Sequence, residues 1–260
     1  MTLRFEKWEG LGNDYLLVDR TEFGERDPKS WTVRWSDRNY GVGSDGLILV
    51  DEHPLSMRIF NADGSEGAMC GNGIRAVAAQ FARRKGELWS GVVSTQSGDR
   101  RCEVLSLGAA GEDMVTVNMG SAAIADLPPD LSVPFPGVHV DVGNPHYVAF
   151  VPDCENVVLE EIGPPIEHAP VFPGRINVQI ASVRGDGTLR LRTWERGSGV
   201  TKACGTGACA VAAAYLNQEV SRSNTVKLEL DGGCLDITRR GDELWMTGPA
   251  RCVYSGVVPD

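Results

Sequence analysis

The chain has 260 residues, 42% hydrophobic and 23% charged, a composition that suits a globular protein with room for two domains of about 120 residues each. Its 35 acidic residues outnumber 25 Lys and Arg, for a formal charge of −10, which argues against a nucleic-acid groove or an anionic membrane surface and leaves a small molecule as the expected partner. No apolar run approaches a membrane span, and Glu6 and Lys7 fall where a signal peptide would place its apolar core, so a cytoplasmic protein is expected.

In chain order, Gly12-Asn13-Asp14-Tyr15 reads as a polar turn entering a strand, Leu16-Leu17-Val18. A second strand, Arg58 to Asn61, runs into the turn Asn61-Ala62-Asp63-Gly64-Ser65-Glu66, and Cys70-Gly71-Asn72-Gly73 follows. Apolar residues at 74, 77, 78 and 81 then mark one face of an amphipathic helix. Strand-like stretches at 92–95 and 114–117 close this half, and the Pro-rich segment 127–136 reads as the join to the next.

The second half replays these landmarks. Gly143-Asn144-Pro145-His146 leads into the strand Tyr147 to Phe150, Leu191 to Glu195 leads to Cys204-Gly205-Thr206-Gly207, and apolar positions 208, 211, 212 and 215 repeat the helix face. Cys70 lies nine positions after Asn61, and Cys204 lies nine after Glu195. The expected fold is a pseudo-symmetric α+β protein, each half a mostly antiparallel sheet or barrel around a central helix. The first half covers 1–121, with strand-like residues 251–260 returning to it, and the second covers 122–250.

Both C-G-x-G motifs open helices, and that placement carries chemistry. A helix start leaves backbone N–H groups without intrahelical partners and carries a partial positive charge, so it binds anions and favours a thiolate over a thiol. Glycines let a carboxylate approach the backbone. Two such ends, one from each half, would place a thiol on each side of the α-carbon of a carboxylate held between them. One thiolate would remove the α-proton and the other thiol would deliver a proton to the opposite face, with N–H donors holding the enediolate charge. Cys70 and Cys204 are therefore the candidate catalytic pair.

The remaining five of the seven cysteines, at 102, 154, 209, 234 and 252, show no close pairing that would suggest zinc or a redox dithiol and read as small apolar residues. Glu195 and Arg196 fit either a surface ion pair or contacts to a substrate's ammonium and carboxylate groups. Asn13, Asn61, Asn144 and Asn177 fit ordinary turns as well as ligand contacts. His146 fits a satisfied core histidine or a group that tunes a thiol.

Taken together, Gly10-Leu11-Gly12-Asn13-Asp14, Phe60 to Ser65, Cys70 to Arg75, Gly143 to His146, Glu195-Arg196-Gly197 and Ala203 to Ala210 resemble bacterial and plant diaminopimelate epimerases nearly end to end. The resemblance implies an isomerase free of pyridoxal phosphate and of metal, without any cofactor, usually a homodimer, that interconverts LL- and meso-diaminopimelate for lysine and cell-wall synthesis. It implies Cys70 as proton donor and Cys204 as acceptor, substrate contacts from Asn13, Asn61, Asn144, Asn177, Glu195 and Arg196, and carboxylate binding by the backbone N–H groups of Gly71, Asn72, Gly205 and Thr206. Gly46, Met69 and Val200 depart from the family pattern and bear on substrate choice.

The alternatives are a two-thiol racemase acting on histidine or proline, an acid-dependent isomerase of the PhzF type, against which both thiols argue, and a non-catalytic amino-acid binding protein. Opposed thiols around one carbon are also expected to oxidise to a Cys70–Cys204 disulfide.

Overall fold

The computed structural model describes residues 2–109, 111–218 and 223–259. Contacts group the chain into two units, Met1–Val117 with Gly248–Asp260, and Asn118–Thr247, so the divisions fall inside strands.

The first unit runs β1 (Thr2–Gly10), β2 (Asn13–Asp19), α1 (Arg20–Phe23), α2 (Pro28–Ser36), β3 (Gly46–Glu52), β4 (Leu55–Asn61), β5 (Glu66–Gly67), α3 (Gly71–Lys85), β6 (Ser90–Thr95), β7 (Gly98–Leu107) and β8 (Glu112–Ser121). Its sheet pairs β1 to β2 antiparallel, β2 to β3 parallel, β3 to β4 antiparallel, β4 to β6 parallel, and β6 to β7 to β8 antiparallel. The two parallel joints are where helical crossovers intervene, as parallel pairing requires.

The second unit runs β9 (Ala123–Asp126), β10 (Gly137–Asp141), β11 (Pro145–Phe150), α4 (Leu159–Glu167), β12 (Asn177–Val183), β13 (Leu189–Glu195), β14 (Gly199–Thr201), α5 (Gly205–Leu216), β15 (Thr225–Leu230), β16 (Gly233–Arg240) and β17 (Glu243–Pro259). Pairing from β10 through β11, β12, β13, β15 and β16 to β17 repeats the same sequence of parallel and antiparallel joints. The repeat in the sequence is thus a repeat of topology. The end of β17 leaves this sheet and pairs with β1 in the first unit, from Thr2↔Pro259 to Glu9↔Arg251.

The two long helices depart from the expected amphipathic pattern. In α3 every residue from Gly71 to Ala82 is buried, Arg75 and Gln80 included, and α5 is buried over almost its whole length. The reason is that each sheet curls around its helix: α3 packs on β1, β2, β3, β4 and β7, and α5 on β10, β11, β12, β15 and β16. A helix enclosed on all sides loses its polar face.

Outside the curled sheets lie smaller helices without a sequence motif to announce them. Asp19 and Asp27 cap α1 and α2 through their carboxylates, and Pro28 supplies a preset first position. These helices seal Phe23, Trp31 and Trp35 over Leu16, Val18, Leu47 and Leu49. Burying each such side chain stabilises the fold by roughly 1.5–3 kcal/mol. In the second unit α4 covers Tyr147, Val178 and Ile180, and packs so closely that a Cβ at Gly163 would lie 2.4 Å from the Trp194 indole. Strands β2 and β12 are consequently buried on both faces, which is why they lack alternation.

The Pro-rich segment 127–136 lies within the second unit, where Leu127, Val133 and Phe135 pack on that same core and the Tyr147 hydroxyl donates to the Phe135 carbonyl at 2.7 Å. Of the cysteines read as apolar filler, Cys102, Cys154 and Cys209 are buried, whereas Cys234 is exposed and Cys252 half-buried. All seven are free thiols. Among the described residues no helix is long and apolar enough to cross a membrane.

Candidate active site

In the first unit, β1 turns into β2 through two residues, Leu11 and Gly12, both with positive φ (57° and 77°). That geometry suits the twist of a tight hairpin and sets Asn13 at the head of β2. A non-glycine residue in this region costs of order 1 kcal/mol, here offset by burial of the Leu11 side chain.

Cys70 is the N-cap of α3, in extended conformation, and makes no side-chain hydrogen bond to the helix it starts. Its Sγ lies 3.5 Å from Tyr15 Oη and 3.5 Å from Asn13 Oδ1. The direction of the Asn13 amide is fixed from both ends: its Nδ2 donates to Asp45 at 2.7 Å, and its Oδ1 accepts from Asn72 Nδ2 at 3.3 Å. Asn72 is in turn oriented by buried Arg75, which donates to Asn72 Oδ1 and to the carbonyls of Gly71 and Pro249. On the other side, Arg38 bridges Asp45 and Asp14 at 2.8 Å each, and Lys7 pairs with Asp14 at 2.8 Å. Burial raises the Asp14 carboxyl, but Arg38 and Lys7 outweigh it and hold that group below the usual range.

Asn61 ends β4 on the surface and bonds within its own turn, to Ser65 Oγ at 3.0 Å. Gly46 pairs with Tyr15 on one side and Asn61 on the other, and a Cβ there would lie 2.0 Å from the Phe60 carbonyl oxygen. The backbone admits glycine and leaves no place for a longer side chain.

In the second unit Cys204 is the N-cap of α5, and here the thiol does cap its helix: Sγ accepts from Gly207 N at 3.3 Å and lies 3.5 Å from Thr206 Oγ1. The expectation that a helix start lowers the thiol is reversed at this position. Burial pushes Cys204 well above the usual thiol range and the Glu195 carboxylate pushes it further, against the smaller pull of Thr206 and the Gly207 N–H. Glu195 itself is raised by burial, with Thr201 and the Cys204 thiol holding it down, and Thr201 Oγ1 donates to it at 2.5 Å. The thiol's proton therefore faces a carboxylate.

A continuous chain of hydrogen bonds supports Thr206. Thr193 Oγ1 donates to Gln179 Oε1 at 2.7 Å, which turns Gln179 Nε2 toward His146 Nδ1 at 3.2 Å. His146 then carries its proton on Nε2 and gives it to Asn144 Oδ1 at 3.1 Å, and Asn144 Nδ2 donates to Thr206 Oγ1 at 3.3 Å. The Thr206 hydroxyl proton is left to point at Cys204. Burial first, then the charge of Arg196 and of His139, lowers His146 to about 3, so it stays neutral. Of its two readings, His146 is a satisfied buried histidine, and its partners are amides rather than a thiol.

Asn177 is buried with its amide occupied on both sides, donating to Pro145 O at 3.0 Å and accepting from Arg196 N at 3.1 Å. The Arg196 guanidinium donates to Gly174 O at 2.8 Å. The turn carrying Glu195 and Arg196 is anchored by Glu167, whose carboxylate accepts from Trp194 Nε1 at 2.7 Å and Gly197 N at 2.8 Å.

Tyr15, Asp45, Arg75, Gln179 and Glu167 bond to the candidate residues or to the turn that presents them, and residue type and spacing alone do not point to any of the five. Tyr15 stood inside a quoted motif and Arg75 at the end of another. Gln179 carries only one signal, a polar residue within an apolar run, which is weak in a single sequence, and Glu167, beside His168 after two prolines, carries none.

Two curled sheets of one topology each enclose a helix that has a cysteine at its N-cap position, and this duplicated scaffold is that of a known structural class. The same fold is seen in a structure described as a predicted epimerase from Pseudomonas aeruginosa, with a TM-score of 0.75 at 17% identity, covering 99% of both chains. The chain belongs to the diaminopimelate epimerase family, whose profile, described as diaminopimelate epimerase, it matches over residues 5–125 and 138–253. It is 42% identical to the diaminopimelate epimerase of Bacteroides thetaiotaomicron, covering 98% of this chain and 97% of that one, and 44% identical to that of Synechococcus elongatus, covering 98% of each.

Proposed function

We propose that the chain interconverts LL- and meso-diaminopimelate by proton transfer between two thiols. The observation that carries this reading is the placement of Cys70 and Cys204 at equivalent helix starts of two repeated units, in a chain of this family.

In the proposed reaction a thiolate takes the α-proton: the Cα–H bond breaks, an S–H bond forms, and the electron pair moves into the carboxylate as an enediolate. The other thiol then gives its proton to the opposite face of the carbon. Cys204 is the acceptor from one epimer, with Glu195 placed to receive its resting proton, and Cys70 is the donor; the reverse reaction exchanges the roles. N–H groups of Gly71, Asn72, Gly205 and Thr206, in the first turns of α3 and α5, hold the reacting carboxylate. Asn13, Asn61, Asn144, Asn177, Glu195 and Arg196 bind the remaining polar groups, either directly or, as Asn177 suggests, by fixing the turn that does. His146 supports Asn144. No cofactor takes part, and the working form is a cytoplasmic homodimer.

Racemisation of proline or histidine is the lesser reading, because both relatives described above, alike over nearly their whole length, are diaminopimelate epimerases. The test is incubation with LL-diaminopimelate in D₂O without added cofactor, following α-deuteration and meso product by NMR. Label and product in the wild type, both lost in Cys70→Ala and Cys204→Ala, are expected. Absence of exchange would overturn the assignment.

A further inference from the structure

The two cysteines differ in what surrounds them. Cys204 has two donors, the Gly207 N–H and the Thr206 hydroxyl, the latter from its own motif. At Cys70 the residue equivalent to Thr206 is Asn72, and Asn72 does not reach the thiol; its amide is turned by Arg75 toward Asn13 Oδ1. Asn13 offers Cys70 only an acceptor, because Asp45 holds the Nδ2 end. The side-chain hydroxyl at Cys70 comes instead from Tyr15, on β2, at 3.5 Å.

We propose that Tyr15 is the positioning residue for Cys70: its phenolic O–H donates to Sγ and holds the thiolate form, while Asn13 Oδ1 receives the proton of the thiol form. This rests on the two-thiol reading above and deepens it. The paired acceptor and donor let one sulfur alternate between both protonation states without any side chain turning. Tyr15 is almost wholly buried on β2, which packs against α3, so its ring is enclosed where it meets Cys70.

For a phenol to serve in this way it must keep its own proton. Burial raises Tyr15 well above the usual range, and the negative charges of Cys70 and Asp45 raise it further. The other charges around the site are tied up: Asp14 by Lys7 and Arg38, Asp45 by Arg38, and Arg75 by Asn72 and two carbonyls. The motif Gly12-Asn13-Asp14-Tyr15 therefore supplies both partners of the sulfur, the acceptor at its second position and the donor at its fourth.

Tyr15→Phe removes one oxygen from a buried ring. Site-resolved alkylation by iodoacetamide, followed across pH by mass spectrometry on the intact enzyme, reads each thiol separately. In Tyr15→Phe the midpoint for Cys70 is expected to rise by about one pH unit, the order expected for loss of a hydrogen bond to a charged group. The midpoint for Cys204 is expected to stay put. With substrate, kcat falls roughly tenfold while KM changes less than about twofold. Fluorotyrosine at position 15, a stronger donor, is expected to move the Cys70 midpoint in the opposite direction. Unchanged Cys70 profiles in both variants would overturn the proposal, even if Tyr15→Phe loses activity, since that loss would then come from packing. Alkylation needs no substrate, so its outcome is separate from whether wild-type enzyme exchanges the α-proton of diaminopimelate.

Discussion

Glu167 and Gly197 lie 30 positions apart in the chain, yet the carboxylate of the first accepts the backbone N–H of the second at 2.8 Å, and the same carboxylate takes the Trp194 indole N–H at 2.7 Å. Arg175 adds a longer contact at 3.4 Å. One buried side chain at the end of α4 thus fixes both flanks of the turn that presents Glu195 and Arg196. Burial raises Glu167, and these donors more than reverse the effect, leaving it below the usual carboxyl range.

Glu167→Ala leaves an indole and a backbone donor buried without a partner. A stability loss of about 3 kcal/mol is expected, measurable by chemical denaturation. Glu167→Gln keeps the volume and one acceptor, so it is expected to lose less stability while raising KM for diaminopimelate several-fold. A KM equal to that of the wild type would show that the turn needs no anchor.

The pairing of Glu195 with Cys204 gives a prediction of sign. Removing the carboxylate's charge in Glu195→Gln takes away one of the two influences that raise the thiol, so the pH midpoint for Cys204 alkylation is expected to fall. Catalysis is expected to fall as well, by about 100-fold, because the group placed to receive the thiol's proton is gone. An alkylation midpoint that rises in this variant would contradict the electrostatic account.

His146 links stability to acidity. In the unfolded chain a histidine protonates near 6.5, but in the fold burial delays protonation to about 3. Between those values the unfolded state binds the extra proton, so the fold loses stability as pH falls from about 6.5, by about 1.4 kcal/mol per pH unit from this residue. Replacement by a residue without that proton, His146→Gln, is expected to flatten the loss between pH 6.5 and 5 in denaturation curves. Parallel curves for the two proteins would refute it. Nitrogen NMR is expected to find the wild-type ring neutral at pH 5, with its proton on Nε2.

At Gly207 the constraint is space. A Cβ there would lie 2.6 Å from the Gln179 amide, which Thr193 and His146 hold in place. Gly207→Ala is expected to cost about 1–3 kcal/mol and to lower kcat through the displaced chain from Gln179 to Thr206. A variant as stable and as active as the wild type would mean that this chain gives way freely.

Much of this was legible in the sequence. The repeat, the two helix starts at Cys70 and Cys204, and the strands leading to Asn61 and Glu195 follow from local patterns. What local patterns miss is enclosure. The apolar spacing in α3 and α5 shows one buried face, but a sheet curling around the helix buries the others too, and a period cannot report that. Gln179 sits in a strand buried on both sides, between α5 and the core under α4, so no alternation marks its direction. Glu167 acts on a turn that the chain reaches only after two more strands, β12 and β13. The raised thiol of Cys204 was hidden for a similar reason: the helix start is written in the motif, whereas the depth of burial and the nearness of Glu195 arise only on folding.

The last strand has a consequence for synthesis on the ribosome. The unit from Asn118 to Thr247 is continuous in sequence and has all its strands as soon as it emerges. The first unit is not: β1 needs the end of β17, and the ion pair of Arg251 with Glu9 spans 242 positions. Until the end of β17 has been made, the edge of β1 that it covers has no partner. The first-made unit thus cannot close its sheet until the last-made residues are available, and the site around Cys70, whose Arg75 donates to the Pro249 carbonyl, is complete only then.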